Sequence, residues 1–204
     1  MHDVAIHPGA EAQESPLTPE SWGKLGMWMF LIGDAMTFGG LLAAYGAIRI
    51  GSVDWPNPSE ELGINLTAFM TFLLICSSVT MVKALSAARH DDQKGLRNYL
   101  MLTILGGIIF LGLQAYEWNK LIHEGLYFSR NPWGSSLFGA TFYSITGFHG
   151  AHVTGGVIYL GCILVSGMRG NYRGGKYKRV EIVGLYWHFV DLVWILVFTF
   201  VYLL

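Results

Sequence analysis

The amino-acid sequence predicts an all-α integral membrane protein built as a bundle of five transmembrane helices. Its 204 residues are 52% hydrophobic and only 13% charged, which is too little polar surface for a soluble domain. Five apolar stretches also follow one another, each near or above the ~20 residues that a membrane-spanning helix needs. The stretches cover roughly residues 25–50, 64–85, 99–118, 137–168 and 183–204. Ionisable side chains inside these stretches are costly in lipid and are therefore candidates for function.

The first 23 residues differ from the rest of the chain. They are rich in Pro and Glu and have almost no apolar periodicity, which predicts a mobile N-terminal arm (1–23) ahead of a transmembrane domain (24–204). The arm lacks the basic and apolar regions of a secretory signal. After the first apolar stretch, Pro56, Pro58 and Gly63 interrupt any helix and predict an extramembrane loop.

Basic residues predict the orientation. The second and fourth connections carry most of the Lys and Arg, and Lys24 precedes the first helix on the same side. The opposite side has only Arg49, Lys120 and Arg130 in its connections. By the positive-inside rule the N-terminus is cytoplasmic, and because five helices are an odd number, the C-terminus is external.

Small residues recur at four-residue steps at Gly147, Ala151 and Gly155. Such residues let helix backbones approach closely in lipid. The pattern predicts a helix interface, either within the bundle or against another subunit, and it identifies no function.

Histidines and acids inside the apolar stretches form two spaced pairs. His149 and His152 are i, i+3 neighbours, His188 and Asp191 have the same spacing, and Glu117 lies near the external end of its helix. One interpretation makes them metal ligands, since inward-facing imidazoles and carboxylates in a bundle hold transition metals.

The metal interpretation needs more ligands than the sequence offers. It contains no ExxH or HExxH motif, and the remaining histidines fall in the predicted arm and loops. We therefore expect no metal site, and a buried polar network among Glu117, His149, His152, His188 and Asp191 instead. Interhelical hydrogen bonds in membranes average only ~0.6 kcal/mol, so such a network fixes helix register more than it stabilises the bundle.

Asp34 stands alone in the first apolar stretch, with no basic residue or imidazole within one helical turn along the sequence. A desolvated carboxyl group without a cationic partner favours its protonated form. Two interpretations follow: a group that takes up or stores a proton, or a neutral acid hydrogen-bonded to a neighbouring helix.

Four segments carry a resemblance to a known family. They are LGMWMFLIGDAMTFGGLLAAY, GLQAYEW, TGFHGAHVTGGVIYL and YWHFVDLVWILVF, spread over residues 24–204 in the order in which that family has them. The chain resembles subunit III of the haem-copper oxidases, the cytochrome c and quinol oxidases. The glycine-rich segments lie inside apolar helices and the basic loops follow from topology, so no nucleic-acid binding is expected.

The resemblance implies a non-catalytic subunit of a respiratory terminal oxidase in the bacterial inner (plasma) membrane. Such a subunit packs on subunit I, carries no haem or copper itself, binds phospholipid, and supports proton uptake and sustained turnover; subunits I and II hold the haem and copper. Asp34 coincides with the family's carboxylate that reacts with hydrophobic carbodiimides.

The chain departs from the family pattern in two ways. Many members have seven helices and hold phospholipid between an N-terminal pair and the other five, whereas only five are predicted here. The usual Glu is replaced by Asp34, whose side chain is one methylene shorter. The alternatives are a stand-alone membrane enzyme or transporter that uses the His and carboxylate cluster, and a nitric oxide reductase accessory protein of the same fold.

Overall fold

The described residues form five long helices, as the apolar stretches predicted. The structure is a computed structural model and describes residues 22–172, 174 and 176–204. Each long helix has the length and hydropathy needed to cross a membrane. A short helix, α2, lies between the first two, and a π-helix, π1, continues the last. The elements are α1 (Trp22–Gly51), α2 (Pro58–Glu61), α3 (Ile64–Arg89), α4 (Gln93–His123), α5 (Ser136–Met168), α6 (Lys178–Val197) and π1 (Phe198–Leu203).

The predicted N-terminal arm lies almost wholly outside the described residues. Trp22 and Gly23, the last two residues assigned to it, are the first two of α1. The described part of the chain thus starts within α1, and the predicted boundary between arm and transmembrane domain stays a prediction.

Polar side chains cap the first turns of α4 and α5. The Asp92 carboxylate accepts hydrogen bonds from the backbone N–H groups of Lys94 and Gly95, at 3.1 and 3.0 Å, and caps the start of α4. The Ser135 hydroxyl similarly accepts from Leu137 N–H at 3.4 Å at the start of α5. These side chains satisfy backbone donors that no earlier helical turn can bond.

Helix α6 forms the centre of the bundle and packs on α1, α3 and α5. Two of its tryptophans, Trp187 and Trp194, are 1% and 0% exposed. Their indole N–H groups donate to the hydroxyls of Ser77 and Thr71 on α3, each at 3.0 Å. These bonds satisfy the donors that burial takes from water, and they fix the register of α6 against α3.

Two glycines make room for Trp187. A Cβ atom added at Gly107 on α4 would lie 2.7 Å from the indole, and one added at Gly156 on α5 would lie 2.9 Å from it. Both distances are shorter than van der Waals contact. The absence of a side chain at these two positions therefore lets α4 and α5 close around the central tryptophan.

Large apolar side chains face outward along the helices. Phe72, Leu102, Ile158 and Leu192 are each at least half exposed. Apolar surface on this scale is covered by lipid or by other membrane subunits. Together with the helix lengths, it defines a multi-pass membrane protein.

An ion-pair cluster joins three helices at the basic end of the bundle. One carboxylate oxygen of Glu181, at the start of α6, lies 3.1 Å from Lys24 Nζ on α1 and 3.6 Å from Arg89 Nη2 on α3. The Arg89 guanidinium also lies over the Tyr177 ring, 5.4 Å from its centroid. The side chains are partly exposed, so the cluster aligns these helix ends more than it stabilises the fold.

The orientation of this bundle stays a prediction that protease accessibility tests. With the basic end cytoplasmic, a cleavable tag after Leu204 should be cut from the external side of intact cells. A tag before Met1 should be cut only after the inner membrane is opened. The reverse pattern would contradict the orientation and invert the depth assigned to every buried acid.

Candidate functional site

The most distinctive polar contact joins α1 to α5 in the middle of the bundle. Asp34 Oδ1 lies 3.1 Å from His152 Nε2, and the two side chains are 8% and 14% exposed. The other ring nitrogen, Nδ1, lies 2.8 Å from the carbonyl oxygen of Phe148 one turn earlier. Asp34 is therefore isolated along the sequence but paired with an imidazole in space.

The backbone contact determines which nitrogen of His152 carries a hydrogen. A carbonyl oxygen only accepts, so Nδ1 must be the donor to Phe148. Nε2 then faces the Asp34 carboxyl group, and one proton lies between them, because two lone pairs would repel. The pair is neutral as a whole whether that proton sits on oxygen or on nitrogen. Such an arrangement holds an exchangeable proton in an apolar bundle without net buried charge.

Aromatic rings enclose this pair. The Phe38 ring meets the His152 ring edge-on at 5.3 Å between centroids, and the Phe148 ring does so at 4.6 Å. The Tyr186 hydroxyl donates to the backbone carbonyl of His152 at 2.9 Å. These contacts hold the imidazole in one orientation toward Asp34.

Glu117 forms a separate cluster, near the end of the bundle that lies opposite the basic end. It is 2% exposed, and its Oε2 accepts from the Tyr202 hydroxyl at 3.0 Å and from Gln114 Nε2 at 3.3 Å. The Thr67 hydroxyl lies 3.0 Å from Oε1. Tyr202 belongs to π1, whose wider turn ends α6 and places this ring inside the bundle. The cluster thus connects α3, α4 and the C-terminal turn.

A third cluster lies between α3 and α6. The Ser78 hydroxyl is hydrogen-bonded to His188 Nδ1, and Ser78 also lies beside the Asp191 carboxyl group. Asp191 Oδ1 is buried without a hydrogen-bond partner among the described residues. His188 and Asp191 therefore share a serine and do not bond to each other directly.

His149 takes part in none of these clusters. Its side chain is 0% exposed, and neither ring nitrogen has a hydrogen-bond partner within the described part of the chain. It lies in an aromatic enclosure, 4.9 Å from the Trp194 ring centroid, 5.8 Å from that of Phe110 and 6.3 Å from that of Phe38. The position is that of a neutral, tightly packed imidazole.

The structure thus distributes the predicted polar residues over separate clusters. His152 pairs with Asp34, which the sequence did not include among its partners, while Glu117 and His188 bond to residues outside the predicted network. Between the described residues no hydrogen bond joins any two of the five predicted members. The partners that the sequence analysis missed are hydroxyl and amide side chains within the apolar stretches. They are Thr67, Ser78, Gln114 and Tyr202.

The small residues of α5 lie on two different faces. A Cβ atom added at Gly147 would lie 3.2 Å from Trp118, so this residue adjoins α4. Ala151 and Gly155 are exposed on the chain, and the close contact with α6 is at Gly156 instead. An interface that uses Ala151 and Gly155 therefore requires another chain, and it stays a prediction.

Residues 22–172, 174 and 176–204 contain no group of three or more His, Cys, Asp or Glu side chains close enough to hold a metal ion. The Asp34–His152 contact offers hydrogen bonding and exchange of the proton that the two side chains share. The fold and these clusters define a helical membrane protein with several polar side chains buried inside its bundle.

Comparison with known proteins identifies the family. The family model described as cytochrome c oxidase subunit III matches residues 20–204. Cytochrome c oxidase subunit 3 of Bacillus sp. (strain PS3) is 34% identical over 194 residues, which cover 95% of this chain and 91% of the relative. The subunit 3 of Thermostichus vulcanus is 38% identical over 181 residues, 88% of this chain and 86% of the relative. The probable subunit 3 of Mycobacterium tuberculosis (strain ATCC 25618 / H37Rv) is 38% identical over 180 residues, with the same coverage.

The chain belongs to the cytochrome c oxidase subunit III family. It is a subunit III of a haem-copper oxidase, as the four sequence segments predicted, and it works in a complex with other oxidase subunits.

Proposed function

We propose that this chain is a non-catalytic subunit that packs on subunit I in the bacterial plasma membrane and sustains proton uptake during oxygen reduction. Subunits I and II carry the haem and copper in this proposal, and the chain itself carries none. The observation that carries the protonic part is the Asp34–His152 contact at 3.1 Å, in which one exchangeable proton is shared inside the bundle.

The geometry of the pair favours exchange over a purely structural role. Asp34 Oδ2 is buried and has no hydrogen-bond partner among the described residues, so the carboxyl group retains an unused acceptor. A proton on the pair can therefore pass to or from a further group at Oδ2 while Oδ1 stays bonded to His152. Glu117 differs, because its two oxygens are occupied by three side chains of the protein.

An apolar groove of about 340 Å³ lies between α1 and α6. We propose that an acyl chain of a bound phospholipid occupies it, since the helices of the described residues leave this apolar face open. Only one of the side chains that line the groove is polar, namely His188. The lining residues are Trp28, Leu31, Ile32, Ala35, Leu185, His188, Phe189 and Leu192.

Co-purification from native membranes tests the proposed role. An affinity tag on this chain should recover subunits I and II together with haem and copper. After dissociation of the complex, metal analysis of the folded chain should find no stoichiometric iron, copper or zinc. Recovery of a stable, metal-containing chain without other subunits would overturn the proposal and favour a stand-alone enzyme. Recovery with nitric oxide reductase subunits would assign it to that complex instead.

A further inference from the structure

A groove on the outer face of α4 and α5 has a basic end and an apolar end. It encloses about 360 Å³ and lies at the basic end of the bundle, away from the groove between α1 and α6. Lys94, Arg97 and Asn98 of α4 line one part of it. Met101 of α4, with Leu164 and Met168 of α5, lines the rest.

Helix geometry orders these residues by depth. Lys94, Arg97 and Met101 follow each other at three- and four-residue steps, so they form one stripe along α4. At 1.5 Å per residue, Met101 lies about 10 Å deeper along the helix than Lys94. Leu164 likewise lies about 6 Å deeper than Met168, the last residue of α5. The cations are thus at the helix ends and the apolar lining points toward the middle of the bilayer.

The two cations are available to a ligand. Neither Lys94 nor Arg97 forms an ion pair within the described part of the chain, where Glu181, Glu124 and Asp34 take the ion pairs that form. Arg97 donates through Nε to the carbonyl of Gln93 at 3.1 Å, and the two terminal nitrogens of its guanidinium form no hydrogen bond within the described residues. Two unpaired cations beside an amide are complementary to a phosphate group.

We propose that this groove binds an anionic phospholipid. Its phosphate and anionic headgroup contact Lys94, Arg97 and Asn98, and one acyl chain lies against Met101, Leu164 and Met168. Basic pockets between helices on one side of a membrane protein recognise anionic lipid headgroups in this way. A zwitterionic lipid fills the same apolar groove, but its own cationic group offsets the attraction, so the site discriminates by headgroup charge.

Lipid retention tests this site. It is measured on the full-length chain, together with any subunits that remain bound to that chain. The protein is reconstituted in nanodiscs of phosphatidylcholine with a small fraction of phosphatidylglycerol, and the lipids that stay bound are counted by native mass spectrometry. The double substitution Lys94→Gln with Arg97→Gln should weaken phosphatidylglycerol retention about 20- to 30-fold, as two surface cations contribute about five-fold each. Phosphatidylcholine retention should be unchanged.

A matched control removes two charges from the same end of the bundle. Lys178 and Arg179 are exposed at the start of α6, outside the groove, so Lys178→Gln with Arg179→Gln should change retention less than two-fold. Equal losses in both double variants would show general attraction to a basic surface and overturn the site. Unchanged retention in the groove variant would also overturn it.

A steric variant tests the apolar part independently of charge. Met101 is 49% exposed, so Met101→Trp fills the groove from the surface without disturbing the core. Bound phosphatidylglycerol should fall while the thermal unfolding temperature stays at the wild-type value. Retention equal to that of the wild type would exclude the acyl-chain contact. Because lipid is counted directly, this result does not depend on the proton uptake proposed for the oxidase.

Discussion

Replacing Asp34 by Asn should spare assembly and optical spectra of the oxidase but slow its proton uptake about ten-fold. The amide is nearly isosteric and donates to His152 Nε2, so the 3.1 Å contact is retained while the exchangeable proton is lost. Ten-fold is below the ~10²–10⁴-fold that a positioned acid–base group contributes to proton transfer, because the other subunits take up protons as well. Proton uptake and turnover lifetime should be measured across pH, with the largest deficit at alkaline pH, where protons are scarcest.

Asp191→Asn is the matched control for this change. It makes the same substitution at another mostly buried carboxyl group inside a helix, which forms no ion pair with an imidazole of the described residues. Proton uptake should be unchanged. His152→Gln should reproduce the Asp34→Asn deficit, and the double variant should be no slower than either single variant, since the two residues act as a unit. An Asp34→Asn enzyme that equals the wild type in rate, pH profile and lifetime would make Asp34 a structural hydrogen-bond donor.

Chemical modification provides a second measurement on the same residue. A protonated carboxyl group inside an apolar bundle should react with a hydrophobic carbodiimide, and the adduct should map to the peptide that contains Asp34. The label should be absent from the Asp34→Asn variant. Labelling confined to Glu117 would instead place the accessible protonated acid at the other cluster.

Gly156→Leu should lower the stability of the bundle by ~1–3 kcal/mol, the usual cost of overpacking, or prevent folding altogether. Even a Cβ atom at this position lies 2.9 Å from Trp187 and 3.1 Å from the Tyr186 ring. The indole cannot move away freely, because Ser77 holds its N–H group and Gly107 lies against its other edge. Thermal unfolding in detergent, followed by tryptophan fluorescence, measures the loss. Gly156→Ala adds only the Cβ atom and should therefore lower the unfolding temperature by less than Gly156→Leu does.

The neighbouring glycine supplies the control. A Cβ atom at Gly155 has Tyr186 Oη as its nearest contact at 3.6 Å, an ordinary van der Waals distance. Gly155→Leu should therefore leave the unfolding temperature of the chain unchanged. If it reduces co-purification of subunit I, the exposed face with Ala151 and Gly155 contacts that subunit. Equal unfolding temperatures for the Gly155 and Gly156 variants would contradict the close packing around Trp187.

The helices, the class of protein and its family can all be predicted from the amino-acid sequence. Five stretches of sufficient length and hydropathy predicted five membrane helices, because no other backbone structure short of a closed barrel satisfies its own polar groups in lipid. Their boundaries were predicted to within about six residues. The largest differences are at α4 and α6, where polar residues outside the apolar stretch continue the helix. The segments around Asp34, Glu117, His149 and His188 sufficed for the family.

Which polar residues meet depends on how the helices pack, and the sequence did not predict it. The sequence placed Asp34 alone and grouped the histidines together, whereas Asp34 pairs with His152 on a distant helix and His149 is enclosed by aromatic rings. The sequence also did not distinguish Gly155 from Gly156, which are neighbours in the chain but lie on different faces of α5. In a soluble protein, apolar periodicity marks the buried face of a helix. In lipid the outer face is as apolar as the core, so periodicity carries little information about orientation, and packing between helices determines it.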